Sequence, residues 1–260
     1  MTLNIKDKPK DGFERVVYAE EDKFNFYSVI AIHNTKRGPA LGGCRYFNYQ
    51  DFNKQEEDVL KLAEAMTYKN SLAELPFGGG KATIHSKINK KDAYSLFGEV
   101  LNKLNGTYIT AGDMGTVDED LRGFREYSDH VCNPIGSDSG LGTALGVYYS
   151  MLGCVEFKFG QDSLVNKNIF IKGYGKTGSR IASLCKKDGA NIEISDLEHK
   201  KDLIERDGYK FCSQLQDTSF EKIDIYSPCA GGGDLNKEFL NFANNKICLL
   251  YTSPSPRDYG

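Results

Sequence analysis

Asn168-Ile169-Phe170-Ile171-Lys172-Gly173-Tyr174-Gly175-Lys176-Thr177-Gly178 runs a short apolar segment straight into a G-x-G-x-x-G spacing. In a chain with 27 glycines the spacing alone says little, but its surroundings decide the fold. A strand over 168–172 precedes it, and a helix over Ser179–Lys187 follows. A second strand over Asn191–Ser195 then ends at Asp196, 23 residues after Gly173. That is the layout of a dinucleotide-binding βαβ unit. Gly173, Gly175 and Gly178 would form the turn, Lys176 and Thr177 would sit within it, and pyrophosphate would lie at the helix N-terminus. Asp196 falls where a carboxylate accepts hydrogen bonds from the adenosine ribose. It would repel a 2′-phosphate, so NAD is expected over NADP. A further strand, Ile223–Tyr226, would end at Ser227-Pro228-Cys229-Ala230, with Cys229 and Ala230 beside the nicotinamide. A helix over 143–159 opens this half.

Upstream the pattern again alternates. A strand is expected over Ser28–Ile32, helices over 55–73 and 90–104, and a strand over Thr107–Thr110, with Asn105-Gly106 stopping the second helix. Val59, Leu62, Met66 and Lys69 share one helical face, so Lys69 is expected to continue an apolar stripe into the core. An ammonium there calls for an anionic partner, and a substrate carboxylate is one candidate. Twelve positions on, Lys81 closes Gly78-Gly79-Gly80-Lys81, where glycines would let backbone amides approach a ligand. Ala82-Thr83-Ile84 continue as a short buried strand. A P-loop is excluded, because Leu75 and Ala82 stand where that motif needs Gly and Ser or Thr. Asp113 follows the 107–110 strand and is the one carboxylate expected in the site. The turn-rich segment 132–142 is expected to connect two domains.

With 33 Lys and Arg against 36 Asp and Glu, the net charge of -3 gives no reason to expect a nucleic-acid partner. No apolar run approaches the roughly 20 residues of a membrane span, and Met1–Asp11 lacks an apolar signal core, so no membrane partner and a cytoplasmic location are expected. The seven cysteines are odd in number and never spaced C-x-x-C, so neither a disulfide framework nor a metal site is expected.

Six elements in one order, Gly38-Pro39-Ala40-Leu41-Gly42-Gly43, Met66-Thr67-Tyr68-Lys69-Asn70, Gly78–Lys81, Tyr108–Asp113, Gly173–Gly178 and Pro228-Cys229-Ala230, resemble the Glu/Leu/Phe/Val dehydrogenase family, most closely its leucine dehydrogenase branch. The resemblance covers about residues 36–247. It implies an α/β fold: a catalytic and oligomerisation domain over 1–137, then an incomplete Rossmann NAD-binding domain over 138–247. It implies NAD-dependent, reversible oxidative deamination of an L-amino acid to a 2-oxo acid and ammonia by a homo-oligomer. Lys69 would bind the substrate carboxylate, Lys81 would be the general base, and Asp113 would relay protons. Leu41, Gly42, Gly43 and Ala111 would line the substrate site, and Thr143 would join the cofactor residues.

Leu41 stands where the family's glutamate enzymes carry a lysine, and Ala111 where its phenylalanine enzymes tend to have glycine. A branched aliphatic substrate such as leucine, valine or isoleucine is therefore expected, with phenylalanine the alternative. Gly112, residues 137–142 and Gly231–Asp234 depart from the family pattern. Cys248–Gly260 departs further and is expected to be a non-native tail on a truncated chain, which as written would be inactive. Two other readings stay open: a Schiff base formed by Lys81, and a non-catalytic NAD-binding subunit.

Overall fold

Helix α1 begins earlier than its apolar stripe suggests because Asp51 caps it, its side chain accepting the Lys54 N–H at 2.8 Å. It spans Phe52–Leu72. The computed structural model describes residues 3–132, 139–213 and 222–230, with Lys237, Phe239 and the strand Ile247–Cys248. The chain forms two compact units, Met1–Asn133 and Pro134–Gly260.

The first unit is a six-stranded mixed sheet in the order β1-β2-β3-β5-β4-β6. Its strands are β1 (Asn4–Asp7), β2 (Arg15–Glu21), β3 (Phe26–Asn34), β4 (Ala40–Phe47), β5 (Gly78–His85) and β6 (Tyr108–Gly112). β4 runs parallel to both β5 and β6, while β3 meets β5 antiparallel. α1 covers one face through Val59 and Ala63, against Val29 and Ala31 of β3. α2 (Lys90–Leu104) covers the other with Ala93, Phe97, Val100, Leu101 and Leu104, together with Phe124 of α3 (Asp118–Arg125). α2 occupies its expected span because Asn105 adopts the left-handed conformation at φ 46° and ends it.

The glycine run differs from expectation. The strand expected over Ala82–Ile84 is longer, running Gly78–His85 so that Gly78-Gly79-Gly80 lies inside β5, and the whole strand is buried. A Cβ on Gly79 would fall 2.1 Å from the Thr67 backbone nitrogen, and one on Gly80 would fall 2.9 Å from the Tyr108 ring. These glycines are required for close approach of α1 and β6 to β5, before any question of a ligand. The strand after α2 also runs on to Gly112, taking in Ala111.

The second unit holds a parallel five-stranded sheet, ordered β11-β10-β7-β8-β9. Its strands are β7 (Asn168–Lys172), β8 (Asn191–Ser195), β9 (Lys210–Phe211), β10 (Ile225–Pro228) and β11 (Ile247–Cys248). In chain order this is the 3-2-1-4-5 arrangement of a Rossmann half-sheet and its continuation. Helices α4 (Ser139–Phe159), α5 (Gly178–Lys187) and α6 (Lys201–Arg206) accompany it. Met151 and Val155 of α4 and Ile181 and Ala182 of α5 pack on Ile169, Ile171 and Ile194.

α4 starts at Ser139, four residues before the expected start, so the expected connection over 132–142 loses its last residues to helix; residues 133–138 lie outside the described residues, as do 231–236 and 249–260. β10 begins two residues later than expected because Asp224 has another role. Its carboxylate accepts the Asn168 N–H at 2.9 Å, and its own N–H donates to Asn168 O at 2.8 Å.

Candidate active site

Alternation along β5 fixes where Lys81 points. Gly79 abuts Thr67 of α1, and Thr83 Oγ1 accepts from Gln55 Nε2 of α1 at 3.1 Å, whereas Ala82 and Ile84 join the α2 core. With a side-chain period of two, Lys81 belongs to the α1 face. It is 5 % exposed, and its ammonium lies 3.2 Å from Asp113 Oδ2.

Asp113 sits just past β6 in a tight turn. Its N–H donates to Thr116 Oγ1 at 2.8 Å, and that hydroxyl donates to Cys44 O of β4 at 2.7 Å. Arg45, also on β4, brings Nε to the same Asp113 oxygen at 2.8 Å and Nη1 to Asp58 Oδ2 of α1 at 2.8 Å. The Tyr49 hydroxyl donates to that Asp58 oxygen at 2.8 Å. Two cations thus share one carboxylate, and the first cation is tied to a second, deeper carboxylate.

The electrostatics follow. Burial alone would raise the Asp113 pKa, but Lys81 and Arg45 outweigh it and hold the carboxyl down at about 2, from an ordinary 3.8. Burial lowers Lys81; Asp113 acts against that shift, and Arg45 adds to it. Because the Asp113 value is depressed, its contribution to stability is complete above about pH 3.8 and is lost as pH falls toward 2. Acid titration of the folded protein is expected to lose about 2 kcal/mol over that window. The loss should shrink in Asp113→Asn, and equal acid sensitivity of the two proteins by circular dichroism would refute this.

Lys69 departs from expectation. Val59 and Leu62 are buried and Met66 half-buried, but the stripe emerges at Lys69, which is exposed in the last turn of α1. Burial of its stem and the nearby Lys81 both lower its pKa, with solvent limiting the effect. No carboxylate lies within ion-pair distance of Lys69 among the described residues. Asn70, 2 % exposed, fixes this helix end by donating to Gly78 O at 2.6 Å and Leu41 O at 3.2 Å.

β4 pairs Leu41 with Gly79 on one side and Ile109 on the other, and Gly43 with Ala111. Leu41 and Ala111 are half-buried. Gly42 and Gly43 are demanded by packing: their Cβ atoms would fall 1.7 Å from Gly80 O and 2.6 Å from Gly112 O.

In the second unit the three loop glycines differ in kind. Gly173 takes φ 106°, and its Cβ would strike Cys229 and Ala230 at 2.8 Å. A Cβ on Gly178 would sit 1.9 Å from Gly173 O, whereas Gly175 has open space around it. The residues therefore fit a dinucleotide: a tight turn, a close helix start, and one bare position where a pyrophosphate can approach. Thr177 is buried, Lys176 exposed and Thr143 half-buried in α4. Asp196 Oδ2 accepts from the Tyr174 N–H at 2.5 Å and from Lys200 Nζ at 3.0 Å, and Oδ1 from the Leu197 N–H at 2.7 Å.

Arg45, Asp58, Tyr49 and Asn70 are not singled out by sequence reasoning. The available signals are an arginine inside the apolar strand Ala40–Phe47 and an aspartate beside Val59 on the core side of α1.

Residues 14–129 match the family described as Glu/Leu/Phe/Val dehydrogenase, dimerisation domain. The chain is 36 % identical over 241 residues to phenylalanine dehydrogenase from Thermoactinomyces intermedius, covering 88 % of this chain and 66 % of the relative. It is 34 % identical over 254 residues to leucine dehydrogenase from Bacillus subtilis, covering 94 % and 69 %. The chain thus spans about two thirds of the length of these relatives. The crystal structure of L-tryptophan dehydrogenase from Nostoc punctiforme superposes with a TM-score of 0.67 at 26 % identity, over 92 % of this chain and 70 % of that one. On the sequence identity to these relatives, the shared fold and the matched dimerisation domain, the chain belongs to the Glu/Leu/Phe/Val dehydrogenase family of amino-acid dehydrogenases.

Proposed function

We propose that this chain carries the substrate and cofactor residues of an NAD-dependent dehydrogenase of branched aliphatic L-amino acids, working reversibly toward the 2-oxo acid and ammonia. The observation that carries the proposal is the pairing of a buried Lys81 with an anionic Asp113, beside a Lys69 open to solvent. Lys69 binds the substrate carboxylate, which supplies the anion it otherwise lacks. Lys81, disposed by burial to give up its proton, takes one from the substrate amine or from the attacking water. Asp113 begins the cycle as an anion and receives a proton only as Lys81 becomes neutral and withdraws part of its stabilisation. NAD, when bound, supplies the hydride acceptor. Gly173, Gly175, Lys176, Thr177 and Gly178 hold its phosphates, Asp196 its ribose, and Thr143, Cys229 and Ala230 complete the cofactor residues of the second unit.

Leu41 and Ala111 make the side-chain pocket apolar, so a second substrate carboxylate would be buried without a cation, at a cost of several kcal/mol. The dimerisation domain in the family match favours self-association as the working state. The test is NADH formation by the purified intact enzyme with leucine, valine, phenylalanine and glutamate under one set of conditions. Leucine or valine is expected to turn over fastest and glutamate hardly at all; a glutamate rate equal to leucine's would overturn the pocket assignment.

A further inference from the structure

Asp113 is contacted by two cations, and the function proposed above accounts for only Lys81. The other, Arg45, is 8 % exposed on β4, and its guanidinium spans two carboxylates from different elements: Asp113 after β6, and Asp58 on α1, itself 4 % exposed. A structural ion pair needs one partner. Here a planar fork, which only arginine offers, is divided between a deep carboxylate and the carboxylate that meets the buried lysine. We propose that Arg45 is the positioning residue of the lysine site, holding Asp113 against β4 so that Lys81 shares that carboxylate with a second, fixed cation.

Three consequences follow from the geometry. Asp58, gripped also by Tyr49, prevents Arg45 from rotating fully onto Asp113. Both cations meet Asp113 on Oδ2, so the attraction that Oδ2 exerts on the Lys81 proton is divided. Arg45 also repels the Lys81 ammonium directly. The second and third favour neutral Lys81, the form a general base needs, and the first limits how far Arg45 can push it that way. The titratable groups near Lys81 are Arg45 and, on the opposite face of β4, Cys44; Lys69 and, through Arg45, Asp58 from α1; and Asp113 after β6, while β3 places Ala31 opposite it. The Cys44 thiol is kept neutral by burial, so Asp113 supplies the anionic charge and Arg45 the principal opposing one.

This inference deepens the proposed role of Lys81, and its test does not depend on turnover. The 260-residue chain, labelled with 13C at lysine Cε, is titrated by NMR, Lys81 being identified by the signal lost in Lys81→Met. In Arg45→Met the Lys81 midpoint is expected to rise by about one pH unit or more, the usual effect of one neighbouring charge. Arg45→Lys is expected to restore part of the shift. Asp58→Asn, which leaves Arg45 free to turn onto Asp113, is expected to lower the midpoint. If Arg45→Met does not fold, the other two variants decide the matter. A Lys81 midpoint unmoved in the folded variants would make Arg45 a purely structural residue and overturn the proposal. Shifted midpoints in this chain, with no amino-acid oxidation by the purified intact enzyme, would sink the proposed function and leave this inference standing.

Discussion

Replacing Lys81 with alanine is expected to cut kcat/KM for leucine by about 10²–10⁴, the range over which a positioned general base contributes. That corresponds to about 3–5 kcal/mol of lost transition-state stabilisation. The size of the effect follows from the surroundings of Lys81. It is buried, so no surface lysine can substitute for it, and Asp113, held near pKa 2, is a poor base at neutral pH. Folding should survive the change, since Arg45 still meets Asp113 at 2.8 Å and no carboxylate is left alone. Lys69→Ala makes the necessary comparison. On the proposed carboxylate-binding role, its loss should appear chiefly as a raised KM, with kcat reduced less, because such a contact serves ground state and transition state alike. Initial rates of NADH formation across a leucine series separate the two patterns. Lys81→Ala within tenfold of the parent enzyme would remove Lys81 from the chemistry.

Much of this arrangement is legible in the sequence, for reasons that can be named. The Rossmann half follows from a local signal in which strand, glycine spacing, helix and terminal aspartate all lie within 29 residues of Asn168, and β7 and β8 occupy their expected spans. α2 is legible because its stripe ends at an asparagine able to take a positive φ. Lys81 and Asp113 stand out because each ends a distinctive motif, and the structure pairs them. Arg45 and Asp58 belong to no motif. They are 13 residues apart and meet because β4 and α1 pack together, a tertiary fact without local periodicity. The exposure of Lys69 escapes a helical-stripe argument for a similar reason. A stripe shows which face turns inward, but where the covering sheet ends is set by Asn70 locking onto Gly78 O and Leu41 O.

Gly42→Ala is expected to destabilise the first unit by more than about 3 kcal/mol, beyond the usual cost of overpacking. The added methyl would sit 1.7 Å from Gly80 O and 2.8 Å from its carbon, on the backbone of the neighbouring strand, where no rotamer change gives relief. β4 and β5 must then separate at the middle of the sheet. The Tyr108 hydroxyl bond to Gly42 O, 2.7 Å in the present arrangement, would be disturbed with them. Against a total stability of about 5–15 kcal/mol, such a loss lowers Tm by roughly 10 °C or more. Function should fail together with stability, because Arg45 sits on β4 and Lys81 on β5, and the two meet across Asp113 only while those strands stay in register. Thermal melts followed by circular dichroism check this. The two explanations of the Gly-Gly pair then diverge: a variant that melts with the parent enzyme but binds substrate poorly would make Gly42 a ligand-approach glycine, whereas early melting makes strand proximity its reason for being there.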